Sequence, residues 1–184
     1  MKLYDYELSG NCYKVRLFLS ILGLNFDTKP VDFYPGREHK SKALLSLNPL
    51  GQLPIFEDSD AIFCGSDVIL SYIAENYDKS GFWYPKKQRL SIDNWMRIAD
   101  EITATASAAR LHDTFFYDLD IDTARAGAHR LFRILDEHLW FSEKRGDDWL
   151  VETPFPTIAD ISCFPYVALS EEGGISRMDF PAIR

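Results

Sequence analysis

The sequence predicts an α/β N-terminal domain followed by an all-α C-terminal domain. Three observations carry that prediction. From Lys2 to Tyr77, short apolar runs alternate with helically spaced ones. Beyond Pro85 no run has the length, alternation and flanking turns of a strand. Between these halves, Asp78–Pro85 (Asp-Lys-Ser-Gly-Phe-Trp-Tyr-Pro) reads as a linker. The expected domains are therefore 1–78 and 86–184, with 79–85 between them.

Each element has its own signal. Lys2–Tyr6 is a short strand candidate. In Asn11–Leu22, Val15, Phe18, Leu19 and Leu22 fall on one helical face, and Gly23 follows as a stop. Phe26–Val31 reads as the second strand. Arg37–Leu47 reads as a helix ending before Asn48-Pro49. Leu53–Glu57 and Ala61–Cys64 are strands joined by Asp58-Ser59-Asp60, a hairpin signal. Ser66 opens a helix with Val68, Ile69, Tyr72 and Ile73 along one side. The order βαβ, helix, ββ, helix gives a mixed four-stranded sheet with helices on both faces. In the second half, Leu90, Trp95, Ile98 and Ile102 are in helical register within Gln88–Ala109. Leu131, Leu135 and Leu139 recur every fourth residue within Asp122–Phe141. Thr157 opens a last helix with Asp160 completing a capping box, and Pro165 is expected to kink or end it.

Composition narrows the function. The 184 residues are 46% hydrophobic and 14% aromatic, enough for a substantial core, and the net charge is −8. That charge argues against non-specific nucleic-acid binding. No run of about 18 apolar residues predicts a membrane span, and the N-terminus lacks the apolar stretch of a signal peptide. The three cysteines, Cys12, Cys64 and Cys163, form neither a CxxC motif nor a disulfide framework, and a cytoplasmic location is expected. The four histidines, His39, His112, His129 and His138, have no metal-ligand spacing, so no metal is expected.

The chemistry is concentrated in two motifs. Asn48-Pro49-Leu50-Gly51-Gln52-Leu53-Pro54-Ile55 is a turn entering a strand. Gly65-Ser66-Asp67-Val68-Ile69 is a strand end becoming a helix start. An extended segment before a proline beside a helix N-terminus offers backbone amides, which suits a small peptide with a free carboxylate.

These motifs resemble those of the cytosolic glutathione transferases. Ser9-Gly10-Asn11-Cys12-Tyr13-Lys14-Val15-Arg16-Leu17 is similar to the serine-type first-helix motif of the phi, theta and related bacterial classes. Gly36-Arg37-Glu38-His39-Lys40-Ser41 resembles a phi-like segment. Asn48–Pro54 resembles the loop before the family's cis-proline, and Thr157-Ile158-Ala159-Asp160 resembles its helix-capping box. The resemblance covers nearly the whole chain. It implies a thioredoxin-like N-terminal domain, a helical C-terminal domain and homodimers. It also implies glutathione as co-substrate with a small electrophile, and a detoxifying transferase activity. The alternative is a non-catalytic module of the same fold that holds a ligand or a regulatory protein.

Within that resemblance the residues take roles. Glutathione's thiol, with a pKa of about 8.5, is only roughly 3% thiolate at pH 7. A hydroxyl donating to the sulfur near a helix N-terminus favours the anion. Ser9 is the candidate donor, and capping of the first helix is its other reading. Asn11 is a second donor. Cys12 lies three residues beyond the position at which other classes carry a reactive cysteine, and is expected to face the core. Gln52, Leu53, Pro54 and Ser66 are expected to bind glutathione, with a cis Pro54 opening the Leu53 backbone for antiparallel pairing. His39 and Lys40 are candidates for its glycine carboxylate. Gly65 departs from the family, which usually has glutamate there. Asp67 is the candidate replacement, although helical geometry is expected to turn it elsewhere and its charge opposes a ligand carboxylate. Trp95, Arg110, His112, Phe115, Phe116 and Tyr117 are candidates for an electrophile wall between the domains. Phe180–Arg184 resembles the lead-in to the family's closing helix, which is expected to be missing.

Overall fold

A computed structural model of the chain describes residues 1–183. The chain divides into two compact units, Met1–Lys79 and Ser80–Arg184. The first unit is built on four strands, β1 (Lys2–Asp5), β2 (Asp27–Pro30), β3 (Ile55–Asp58) and β4 (Ala61–Cys64), in the order β2-β1-β3-β4. Strand β1 runs parallel to β2 and antiparallel to β3, and β3 and β4 form the hairpin. Its helices are α1 (Gly10–Ile21), α2 (Lys42–Leu47) and α3 (Ser66–Tyr77).

Side-chain alternation in a strand fixes which helices cover which face. Tyr4 pairs with Ile55, and both join Val31, Leu44, Leu47, Leu53 and Cys64 in one apolar cluster on the α2 side. The neighbouring pair, Leu3 with Phe56, points the other way and is fully buried, as are Val15, Phe18 and Leu19 of α1 and Ile69, Leu70 and Ile73 of α3. Burial of each such side chain is worth about 1.5–3 kcal/mol. A one-residue slip of β3 would exchange the two faces.

The segment expected as one helix over Arg37–Leu47 is two pieces. A 3₁₀ turn, Glu38–Lys40, is followed by Ser41 in an extended conformation, and α2 begins at Lys42. The Ser41 hydroxyl accepts from the Leu44 N–H at 3.3 Å, so a side-chain cap replaces a continuous helix.

In the second unit, α4 (Arg89–Ile102) runs through a π-helical turn, Thr103–Ser107, into α5 (Ala108–Phe115). Hydroxyl groups mark this widening: Thr103 donates to the Ala99 carbonyl at 2.9 Å, and Thr105 to the Glu101 carbonyl at 2.8 Å. Helix α6 (Ile121–Arg145) starts at an Asp120 cap and stops at left-handed Gly146. Helix α7 (Ile158–Ala168) opens with the predicted Thr157–Asp160 capping box. It continues three residues past Pro165, so that proline does not end it. No helix among the described residues is long and apolar enough to cross a membrane.

Gly127 of α6 faces the π turn at close range. A Cβ there would lie 2.6 Å from the Thr105 Cγ2. Glycine to alanine inside a helix ordinarily stabilises by about 0.5–1 kcal/mol. Here the contact reverses the sign, and Gly127→Ala is expected to cost about 1–3 kcal/mol in denaturant unfolding. Thr105→Ser, which removes that methyl, restores stability to the double variant. A stabilised Gly127→Ala protein would contradict the close packing.

Candidate functional site

Strand order brings the chemistry-bearing segments to one end of the sheet. Ile55 pairs with Tyr4 on one side and Cys64 on the other, so β3 begins where β1 and β4 end. Leu53-Pro54 therefore enters beside the exit of β1 toward Ser9 and the exit of β4 toward Ser66. Because β2 is parallel to β1, with Asp5 opposite Pro30, the segment from Val31 to Lys40 leaves from the same end.

The link from β1 to α1 is firmly held. Arg16 pairs with the buried Asp5 carboxylate and donates to the Glu7 carbonyl at 2.9 Å. The Ser9 N–H donates to the Tyr6 carbonyl at 2.9 Å. Ser9 is the N-cap of α1, and its hydroxyl oxygen accepts from the Cys12 N–H at 3.2 Å. The same hydroxyl faces the Cys12 sulfur. Cys12 is fully buried, and burial pushes its thiol up to about 12. At neutral pH it is a protonated core residue and no nucleophile. Burial also raises the Cys64 thiol.

Ser66 is the first residue of α3 and only 5% exposed. Its hydroxyl donates to the Asn11 side-chain carbonyl at 3.4 Å, which ties the first turns of α1 and α3 together. Both turns carry unsatisfied N–H groups and positive partial charge. The Leu53–Pro54 peptide bond is cis. No main-chain hydrogen bond among the described residues engages the N–H or C=O of Leu53, which leaves them open for pairing. Gln52 is exposed at the edge of this segment.

Three further placements bear on the site. His39 is 6% exposed, sits in the 3₁₀ turn and stacks on Phe33 at 3.9 Å between centroids. Its Nδ1 is buried with no hydrogen-bond partner among the described residues. Burial holds its pKa below the usual histidine value, with Lys40 and Arg37 adding to the depression. The Lys40 ammonium donates to the Leu50 carbonyl at 3.0 Å and so braces the 48–52 turn. Asp67 does not turn away: its Oδ1 lies 2.8 Å from where a Cβ on Gly65 would stand. Gly65 itself has φ +91°, a backbone conformation suited to glycine.

Sequence reasoning overlooked Asn48 as an organiser. It is buried, donates to the Gln52 carbonyl at 2.9 Å and accepts from the Leu50 N–H at 3.1 Å. An asparagine opening a Pro-x-Gly turn is the signal that could have identified it.

In the second unit, Trp95 is 9% exposed and its ring lies 4.5 Å from that of His138, while Phe115 is also buried. These two belong to the helical core. His112 and Phe116 are more accessible, with Phe116 at 83% exposure in a left-handed conformation that ends α5. His112 Nδ1 lies 2.8 Å from Asp113, and Asp113 also pairs with Arg125 at 2.5 Å; both hold its carboxyl below the usual range. Arg110 pairs with Glu172 at 2.5 Å over the Phe115 ring. Tyr117 donates its N–H to the Leu111 carbonyl at 3.1 Å.

Comparison with known proteins identifies relatives. Residues 3–81 match the family model described as Glutathione S-transferase, N-terminal domain. Over 111 residues the chain is 37% identical to Glutathione S-transferase 3 of Zea mays, a segment covering 60% of this chain and 42% of that protein. Over 114 residues it is 32% identical to Maleylacetoacetate isomerase of Pseudomonas aeruginosa, covering 61% and 50%. The matched segments thus span half or less of these curated relatives. The crystal structure of glutathione S-transferase from Pseudomonas fluorescens superposes with a TM-score of 0.87 at 25% identity, covering 99% of this chain and 90% of that one.

Because the His39 pKa is depressed in the folded chain, the unfolded chain binds the proton more readily. His39 therefore contributes stability that is fully present above its unfolded pKa of about 6.5 and is lost as pH falls toward the folded value. Between pH 7 and pH 5 the melting temperature is expected to fall further for the wild type than for His39→Phe, which keeps an aromatic ring on Phe33. Equal falls would show that burial of this imidazole does not govern the acid response.

Proposed function

We propose that this chain is a member of the glutathione S-transferase family, that it binds glutathione in its N-terminal unit and that it activates the thiolate for attack on a small electrophile. The observation that carries the reading is the Ser66–Asn11 hydrogen bond, which joins two helix N-termini beside the open Leu53 backbone. Fixed N–H groups there suit the glutamyl carboxylate, and Leu53 suits antiparallel pairing with the cysteinyl residue. Ser9 and Asn11, at the start of α1, are the donors proposed for the sulfur. Gln52, Pro54, Ser66 and Asp67 complete the glutamyl side, with His39 and Lys40 toward the glycine end. A neutral, buried His39 serves there as a hydrogen-bonding group, and Lys40 as the charge.

In this reading 1–78 is the glutathione-binding domain, 79–85 the linker and 86–184 the helical domain. The electrophile is assigned to the accessible His112 and Phe116, while Trp95 and Phe115 belong to the helical core. The similarity to glutathione S-transferases further supports a cytoplasmic homodimer with a detoxifying role. The similarity to Maleylacetoacetate isomerase favours isomerisation as a second reaction class to assay.

The thiolate proposal rests on a sizeable effect. A two-unit drop in thiol pKa is about 2.7 kcal/mol of differential stabilisation and raises the thiolate to roughly three quarters at pH 7. Ser9→Ala is therefore expected to slow conjugation with a general aryl halide at least about tenfold, the size of one charge-assisted hydrogen bond. Titration of the bound thiolate by ultraviolet absorbance is expected to show its pKa rising, which loss of a helix cap alone would not produce. An unchanged rate and thiol pKa would remove Ser9 from the mechanism, and no calorimetric binding of millimolar glutathione would remove the ligand.

A further inference from the structure

A groove of about 760 Å³ lies in the second unit, between the Ala126–Ile134 stretch of α6 and the Asp179-Phe180 turn. Its walls are held in place. Phe180 is 3% exposed, with its ring 5.4 Å from that of Phe132 in an edge contact and 5.9 Å from that of His129. The Asp136 carboxylate accepts the Ala182 and Ile183 N–H groups at 2.6 and 3.2 Å, which pins the residues after Phe180 to α6. On the α6 side, Arg130 and Arg133 are exposed neighbours on the helix surface, and Ile134 beside them is 43% exposed.

These two arginines stand apart from others in the unit. Arg110, Arg125, Arg145 and Arg177 each pair with a carboxylate. Arg130 and Arg133 make no hydrogen bond or ion pair among the described residues. Acids are not scarce, since the chain has 28 against 20 lysines and arginines. Like charges three residues apart on a helix repel, and an anion seated between them removes that cost. A guanidinium fork matches a phosphate group with two parallel hydrogen bonds. Ala126, Ile134 and Phe180 give the same groove an apolar part. We propose that this groove binds a small phosphate monoester with an apolar body, its phosphate held by Arg130 and Arg133 and its body laid on Ile134 and Phe180. His129 borders the anion, and Asp179, the acid lining the groove among the described residues, opposes it and limits the affinity. The site lies wholly within the second unit and does not draw on the residues assigned to glutathione.

Calorimetry on the full chain with phenyl phosphate, inorganic phosphate and benzyl alcohol tests the site. The wild type is expected to bind phenyl phosphate about fivefold or more tightly than either fragment, because only the whole ligand uses both parts of the groove. Arg130→Gln and Arg133→Gln keep good helix formers at exposed positions, and circular dichroism checks that each variant folds. Each is expected to weaken phenyl phosphate about threefold or more, and the double variant about tenfold or more. Asp179→Asn is expected to tighten it. The double variant Lys86→Gln/Lys87→Gln removes the same charge at exposed residues that do not line the groove, and is expected to stay within about twofold of the wild type. An affinity unchanged by the arginine pair, or lowered as much by the lysine pair, would overturn the site. Equal binding of inorganic phosphate and phenyl phosphate would overturn the apolar body, and no binding of millimolar phenyl phosphate by the wild type would overturn the whole assignment.

Discussion

The pairing of β3 between β1 and β4 is the constraint from which the candidate site follows. Ile55 stands in register opposite Tyr4 on one side and Cys64 on the other. That single position brings together three chain segments far apart in sequence: the β1 exit, the Leu53-Pro54 entry and the β4 exit. Each exit leads within a few residues into a helix, so two helix N-termini share one end of the sheet. The Ser66–Asn11 hydrogen bond is a consequence of this register and also secures it. The same register sorts the core, sending Leu3 and Phe56 to the α1 and α3 side and Tyr4 and Ile55 to the α2 side. Site and core are therefore specified by one set of backbone bonds.

Electrostatics then decide what that end of the sheet favours. The first turns of α1 and α3 present positive partial charge, and neither opens with a charged cap, because Ser9 and Gly65 occupy those positions. The acidic groups nearby are disposed differently. Asp5 is neutralised by Arg16 behind the α1 entry, whereas Asp67, beside Ser66, has no ion-pair partner among the described residues. On a chain of net charge −8, the two helix N-termini are fixed sources of positive partial charge at this end of the sheet. Any attraction of an anionic group to these turns comes from fixed dipoles rather than from net charge.

Much of the architecture could be read from the sequence, because strands, hairpin and helices each left a local pattern. The Asp58-Ser59-Asp60 turn, the apolar face of α1 and the Thr157–Asp160 box are satisfied within a few residues of chain. What escaped was set by tertiary contact. Nothing in Thr103–Ser107 distinguishes a π turn from ordinary helix until α6 packs Gly127 against Thr105. His39 beside Lys40 looks solvated in sequence, and only the fold places it on Phe33. Helical periodicity turned Asp67 away from Gly65, but periodicity describes Cα positions, and a short side chain at a helix start folds back toward its own N-terminus. Pro165 was expected to kink or end α7, and it does not end the helix, which runs on to Ala168.

The placement of the thiols bears on which molecule supplies the nucleophile. A cysteine at a helix N-terminus is ordinarily activated, and Cys12 is the third residue of α1. Its side chain points into the core, however, where desolvation outweighs the contributions of the Ser9 hydroxyl and the Tyr6 backbone and lifts the thiol to about 12. Cys64 is also pushed upward by burial, and Cys163 is held in the core against the Trp95 carbonyl. Neither Cys12 nor Cys64 is disposed to act as a thiolate near neutral pH, and Cys163 is enclosed in the core. This end of the sheet therefore holds hydroxyl and amide groups suited to stabilising a sulfur anion, while burial raises the pKa of the chain's own thiols beside it, Cys12 and Cys64. A site built in this way calls for a thiol brought in by the ligand.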